Sequence, residues 1–157
     1  MESEKELKAR YRVAVILGMG MIGGLILYVV FVEVLKSLHK PFTGFAPFQQ
    51  MELLKYAFYI LAVLLIPAIN FLRGILLGNI AAGDKEALLQ KLLTATVVTY
   101  ACCEMPAIFG LVLFLTGGLY KEFYLLWFFS MALMILYFPR YGAWRETLSE
   151  PGITKEI

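Results

Sequence analysis

The sequence predicts an all-α fold: a polytopic membrane protein with four transmembrane helices in antiparallel hairpins. Of its 157 residues, 61% are hydrophobic and only 17% are charged, whereas soluble domains average about 45–50% apolar and about 25% charged residues. The apolar residues also form four continuous stretches, each close to the roughly 20 residues that a helix needs to cross a bilayer. This composition excludes a soluble globular enzyme and a disordered chain. The net charge of +2 is scattered along the chain, which excludes a nucleic-acid-binding surface.

The predicted spans cover about 13–34, 54–78, 91–117 and 122–140, and residues 1–157 are expected to form a single four-helix transmembrane domain. Charged residues, rather than a small-residue cleavage site, follow the first span. We therefore expect it to remain in the mature protein and not to be removed as a signal peptide.

The distribution of Lys and Arg predicts the orientation of the spans. Ten of the 14 basic residues lie in the N-terminal tail, in the loop between the second and third spans, or in the C-terminal tail. Basic residues are enriched in cytoplasmic segments, so both termini and the middle loop are expected to be cytoplasmic. Since the sequence shows no targeting signal besides its spans, we expect an inner (plasma) membrane location.

Glu104 is the single carboxylate inside the third span. It lies roughly 12 residues into that span, or about 18 Å at helical rise, near the expected bilayer midplane. An ionisable group at this depth usually faces a partner, a cavity or an ion pathway. Tyr100 lies one helical turn before it, and on the second span Asn70 should lie nearer to Glu104 in depth than Arg73 does. We predict an ion-binding site formed by Glu104, Tyr100 and Asn70. The alternative is that a neutral Glu104 only fixes helix packing through a hydrogen bond to Asn70 or to a free carbonyl.

Two prolines interrupt the spans at similar depths. Pro67 and Pro106 each remove a backbone donor and free a carbonyl one turn earlier, and we interpret them as helix breaks. Each begins a Pro-Ala-Ile string, on spans that run in opposite directions. This pattern is typical of inverted repeats, whose broken helices build ion sites at the midplane, and also occurs by chance in apolar sequence.

Two pairs of glycines have the spacing of close helix contacts. Gly20 and Gly24 form a G-x-x-x-G on the first span, and Gly74 and Gly78 form another on the second. Such spacing lets helix backbones approach closely. It predicts helix packing at these positions without identifying the partner.

The sequence contains no set of residues typical of a metal or cofactor site. His39 is the only histidine, and Cys102 and Cys103 are adjacent inside a span, where packing is the default role of a free cysteine. No glycine-rich phosphate loop, H-E-x-x-H pattern or Ser/His/Asp set is present. We therefore expect no metal, no cofactor and no enzymatic activity.

Residues 86–115 resemble the carboxylate-bearing helix of rotor-ring subunit c of the ATP synthases. The matching features are the ascent Leu92-Leu-Thr-Ala-Thr, the small residues before the carboxylate in Ala101-Cys-Cys-Glu104, and Ala107-Ile-Phe-Gly-Leu-Val112 after it. The resemblance covers a fifth of the chain, which has two spans more than such a subunit. It implies that Glu104 is a protonatable site at mid-membrane depth.

Three functions remain open at this point. The first is a small subunit of a larger membrane complex, whose intramembrane Glu104 binds or carries a proton. The second is a structural or scaffolding subunit, in which Glu104 only fixes packing. The third is a small four-span membrane enzyme, although the chain lacks the Arg-x-x-x-Asn-x-x-Glu constellation of such enzymes. The expected partners are the lipid bilayer, further copies of the chain or other membrane subunits, and protons. No nucleic acid is expected.

Overall fold

The computed structural model describes residues 2–39, 42–45, 51–77 and 85–149, and all of the regular structure in this part of the chain is α-helical. The all-α prediction is therefore confirmed for these residues. The helices are α1 (Glu2–Leu38), α2 (Met51–Leu77), α3 (Lys85–Gly117), α4 (Tyr120–Leu136) and α5 (Tyr141–Ser149).

Three of these helices, α1, α2 and α3, are long and apolar enough to cross a membrane. Helices α4 and α5 together form a bent pair, with an angle of 50° between them, which raises the number of candidate spans to four when the pair is one span. With 37 residues, α1 is about 55 Å long, whereas a hydrocarbon core is about 30 Å thick. Its charged first turns therefore have room to project beyond a bilayer. These lengths and compositions fit a membrane-embedded protein.

The fourth apolar stretch contains a break that the predicted boundaries do not show. Helix α4 ends at Leu136, before the predicted end near residue 140, and the chain resumes as α5 at Tyr141. Pro139 explains this early end. A proline lacks the backbone N–H that a helix needs, and its ring disfavours helical geometry at the preceding residue.

Helix α3 is the centre of the bundle. It packs against α1, α2 and α4, and it also contacts α5, whereas no Cα atom of α1 lies within 8 Å of one in α2 among the described residues. The second, third and fourth predicted spans are thus neighbours in chain order. The first and second spans do not form a packed hairpin, because α3 lies against both of them.

Helices α3 and α4 approach each other closely at Gly110. A Cβ atom placed on Gly110 would lie only 3.0 Å from the backbone oxygen of Phe123, so the missing side chain allows the two backbones to approach. One face of α4 supplies its buried residues, which are Phe123, Leu126, Ser130, Leu133 and Met134. These residues recur at three- and four-residue intervals, as expected for a single helix stripe.

A left-handed glycine ends α3. Gly118 has φ +65°, and its N–H donates to the carbonyl of Phe114 at 2.8 Å. The N–H of Phe45, in the segment after α1, donates to the carbonyl of Leu115 at 2.8 Å. These bonds satisfy carbonyls that the helix end leaves without partners. The connection between α3 and α4 is therefore a tight turn, and residues 42–45 lie against it.

The opposite end of the bundle joins α5 to the first turns of α1 and α3. Trp144 is buried in a cluster with the apolar residues Leu7, Ala14, Leu88, Leu89 and Leu92. The Tyr11 hydroxyl donates to the carbonyl of Pro139 at 3.3 Å. Helix α5 is therefore anchored to the N-terminal end of the bundle.

Candidate functional site

Glu104 lies in the apolar part of α3 and faces α1. Its side chain is half-buried, and its Oε1 atom lies 3.8 Å from the position that a Cβ atom would take at Gly24. The carboxylate and this turn of α1 are therefore in van der Waals contact. Among the three predicted packing glycines that the structure describes, Gly24 is the one that lies against the candidate site.

Tyr28 is the hydrogen-bond partner of Glu104. Its hydroxyl donates to Oε1 of the carboxylate at 2.7 Å. Tyr28 lies one turn after Gly24 on α1, so the two residues share one helix face. The sequence analysis did not single out Tyr28. The available signal was a phenol hydroxyl inside an apolar span, four residues after a glycine.

No positive charge balances the carboxylate within the described part of the chain. Glu104 forms no ion pair with a described Lys or Arg side chain. A charged carboxylate in a low-dielectric environment is strongly disfavoured without a cation. A carboxyl group in either protonation state keeps an oxygen that accepts the hydrogen bond from Tyr28.

The carboxylate lies beside an uncovered strip of α3. Ala101, Met105 and Ile108 are exposed on this helix, and they lie opposite the face that packs on α4. Helices α1 and α2 pack on the two sides of α3, and their backbones stay apart. A lipid chain or a helix of another subunit can therefore approach Glu104 from this side.

The structure does not join Tyr100 to Glu104. Tyr100 is fully buried, and its hydroxyl has no hydrogen-bond partner among the described residues. It lies against Gly18 of α1, where a Cβ atom would come within 2.7 Å of the ring carbon that carries the hydroxyl. Tyr100 thus packs nearer the start of α1 than Glu104 does, by nearly two helical turns.

Asn70 also lies apart from the carboxylate. It is exposed on α2, and its Oδ1 atom accepts a hydrogen bond from the Tyr137 hydroxyl at 3.0 Å. The Arg73 guanidinium lies 5.8 Å from the centroid of the same ring. Asn70 therefore helps to hold α2 against the break between α4 and α5. The three predicted ion-binding residues therefore do not come together: Tyr100 and Glu104 lie against α1 at different levels, and Asn70 bonds to Tyr137.

Both helices continue through their prolines. Pro67 is exposed within α2, and Pro106 is buried within α3. Next to Pro106, the buried Ser130 hydroxyl of α4 donates to the carbonyl of Cys103. A serine side chain thus bonds to the backbone near the carboxylate, in the turn where Pro106 removes a donor. The sequence analysis gave Ser130 no role.

The remaining glycines of α1 and α2 differ in what surrounds them. A Cβ atom at Gly20 or Gly74 would meet nothing within 4 Å, so their contacts remain available to a lipid or to another subunit. Gly78 lies outside the described residues. Gly18, in contrast, closely contacts Tyr100.

A second polar cluster joins α1 to α4 beyond the Glu104 level. Glu33 accepts a hydrogen bond from the Tyr124 hydroxyl at 2.8 Å and another from the Tyr120 hydroxyl. The Lys36 ammonium lies 3.5 Å from the centroid of the Tyr120 ring. This carboxylate differs from Glu104 because it is exposed and has a cation nearby.

No group of three or more His, Cys, Asp or Glu side chains that could hold a metal ion occurs among the described residues. Comparisons of the chain with protein-family models, with curated proteins and with solved structures give no match.

Proposed function

We propose that the chain is a small, non-enzymatic subunit of a larger membrane complex, or of a homo-oligomer, and that Glu104 binds or carries a proton within the membrane. It crosses the inner (plasma) membrane four times, as antiparallel helices with both termini on the cytoplasmic side. The bent pair of α4 and α5 provides the fourth crossing.

The observation that carries this proposal is the environment of Glu104. Its carboxyl group lies in an apolar bundle, has no cation partner among the described residues, and accepts one hydrogen bond, from Tyr28. A neutral acid can release its proton only to a group that reaches it. The exposed strip beside Glu104 gives such a group a route. The resemblance of residues 86–115 to subunit c supports the same role, since that family exchanges an ion at a carboxylate of this kind.

A structural role for Glu104 is the second candidate, and a specific contact favours it. The bond between Tyr28 and Glu104 joins α1 to α3 inside the apolar part of the bundle. Polar bonds between membrane helices commonly contribute about 0.6–2 kcal/mol to association. In this alternative, the carboxyl group stays protonated and never exchanges its proton.

Labelling with a hydrophobic carbodiimide tests whether Glu104 is an accessible acid. Such a reagent partitions into the apolar bundle and reacts with protonated carboxyl groups, so we expect modification at Glu104, decreasing as the pH rises. Peptide mass spectrometry of the labelled protein locates the adduct. Competing Na⁺ should not protect the site if the ion is a proton.

Two variants serve as controls for the labelling. Glu104→Gln should remove the adduct. Glu33→Gln should leave it unchanged, because Glu33 is also bonded to tyrosines but lies at an exposed position. An adduct found equally in Glu104→Gln, or its absence from the wild type at acidic pH, would contradict an accessible protonated site.

The topology is tested by single cysteines placed at exposed positions in a C102A/C103A background. We expect a membrane-impermeant maleimide, applied to intact cells, to label positions 45 and 121 but not positions 4, 86 and 146. All five positions are exposed, so burial within the chain does not explain a difference. Labelling of position 86 from outside would overturn the predicted orientation.

A further inference from the structure

A cavity of about 160 Å³ lies at the break between α4 and α5. Three parts of the fold line it: Arg73 from α2, Thr96 and Thr99 from α3, and Arg140 and Trp144 from the break and α5. We refer to it as the arginine cavity. It lies nearer the start of α3 than Glu104 does, and is separate from the carboxylate site.

The arginine cavity is positively charged. Both of its arginines are exposed, and no carboxylate is among its lining residues. Neither Arg73 nor Arg140 forms an ion pair with a described Asp or Glu side chain. Arg73 instead lies over the face of Tyr137. Two arginine residues therefore line one small cavity, and no carboxylate is among the residues that line it with them.

The arginines are the free donors of this cavity. The Thr96 and Thr99 hydroxyls donate to backbone carbonyls of their own helix, at 2.8 and 2.7 Å. The Tyr137 hydroxyl donates to Asn70. A guanidinium presents a planar fork of N–H donors that matches the oxygens of a phosphate group and binds them in a bidentate manner. The chemistry of the lining thus selects an oxyanion.

The position of the cavity is that of a lipid headgroup region. It lies at the end of α4, beside the cluster that contains Tyr11 and Trp144, and amphipathic aromatic residues are typical of membrane interfaces. Basic pockets between transmembrane helices on the cytoplasmic side bind phosphate-bearing lipid headgroups. The basic residues at this end of the sequence also place it at the predicted cytoplasmic surface.

We propose that the arginine cavity binds a phosphate group through Arg73 and Arg140. Two sources share this chemistry: the phosphodiester of an anionic phospholipid, and a soluble phosphate. The site does not depend on proton exchange at Glu104.

The test uses the full chain in mild detergent, with native mass spectrometry and thermal unfolding as readouts. Phosphatidylglycerol should be retained and should raise the unfolding midpoint, whereas phosphatidylcholine should bind at least tenfold more weakly. Stabilisation by inorganic phosphate, without retention of phosphatidylglycerol, would assign the cavity to a soluble ligand. Binding of neither probe would overturn the proposal.

Matched charge variants assign the binding to the cavity. R73Q/R140Q should weaken the favoured probe at least tenfold. K5Q/R12Q removes two charges from exposed positions near the same end of the bundle, and should change its binding less than twofold. R73K/R140K keeps both positive charges but loses the bidentate fork, so it should bind the favoured probe several-fold more weakly than the wild type. This variant provides the test if R73Q/R140Q does not fold. Equal weakening in K5Q/R12Q, or unchanged binding in R73K/R140K, would overturn the proposal.

Discussion

Glu104→Gln is expected to abolish proton transfer while changing the free energy of unfolding by less than about 0.5 kcal/mol. The amide resembles the neutral acid in shape, and its oxygen still accepts the hydrogen bond from Tyr28, but it cannot take up or release the proton. Glu104→Asp should retain part of the activity. A pH-sensitive dye enclosed in liposomes that contain the protein and its co-purifying partners measures the proton flux.

Glu104→Leu separates the structural role from the proton-carrying role. It removes the acceptor and leaves the Tyr28 hydroxyl without its partner, so we expect a loss of about 1–2 kcal/mol in stability. Tyr28→Phe is the matched control, because it removes the same bond while keeping the carboxyl group. A Gln variant with full proton flux would end the proton-carrier proposal. A Leu variant as stable as the wild type would end the structural one.

The position of the carboxylate could be predicted from the sequence, because a charge inside an apolar span is costly wherever the helix packs. Its partner could not be predicted in the same way. Side chains on a helix tilt towards its N-terminus, so Tyr100 extends away from Glu104, towards Gly18. Tyr28 tilts in the same way on α1, which runs parallel to α3, and it reaches the level of Gly24 and Glu104. This contact depends on how α1 and α3 are rotated relative to each other. The spacing of residues within one helix carries no information about that rotation.

The number of apolar stretches predicted the helices well, but not their arrangement. The faces of α1 and α2 are apolar almost all round, so periodicity does not reveal which face meets a neighbour. The packing of α1 and α4 on α3 depends instead on local shape: the missing side chains of Gly18 and Gly110 allow the close approach. The break before α5 has a local cause, Pro139. Hydropathy alone does not reveal this break, because the apolar stretch predicted as the fourth span, about 122–140, includes this proline.

Gly18→Ala is expected to lower the free energy of unfolding by about 1–3 kcal/mol, the usual cost of overpacking a filled core. Its Cβ atom would come within 2.7 Å of the Tyr100 ring, and that ring is fully buried, so α1 must move away from α3. Gly20→Ala is the matched control on the same helix. Its Cβ atom would meet nothing within 4 Å, and an Ala in a helix interior is more stable than Gly by about 0.5–1 kcal/mol. Unfolding in mixed detergent and SDS micelles measures both values.

Tyr100→Phe completes the comparison. The change deletes a buried hydroxyl that has no partner among the described residues, so stability should stay constant or rise by up to about 1 kcal/mol. In the Phe background, Gly18→Ala should cost at least about 0.5 kcal/mol less than in the wild type, because the two sites are in contact. Equal costs in both backgrounds would show that this contact does not limit the packing of α1 on α3. The same Tyr100→Phe variant also tests the predicted ion-binding role of Tyr100. A fall in proton flux at unchanged stability would assign the hydroxyl to proton transfer. An unchanged flux would leave Tyr100 with a packing role alone.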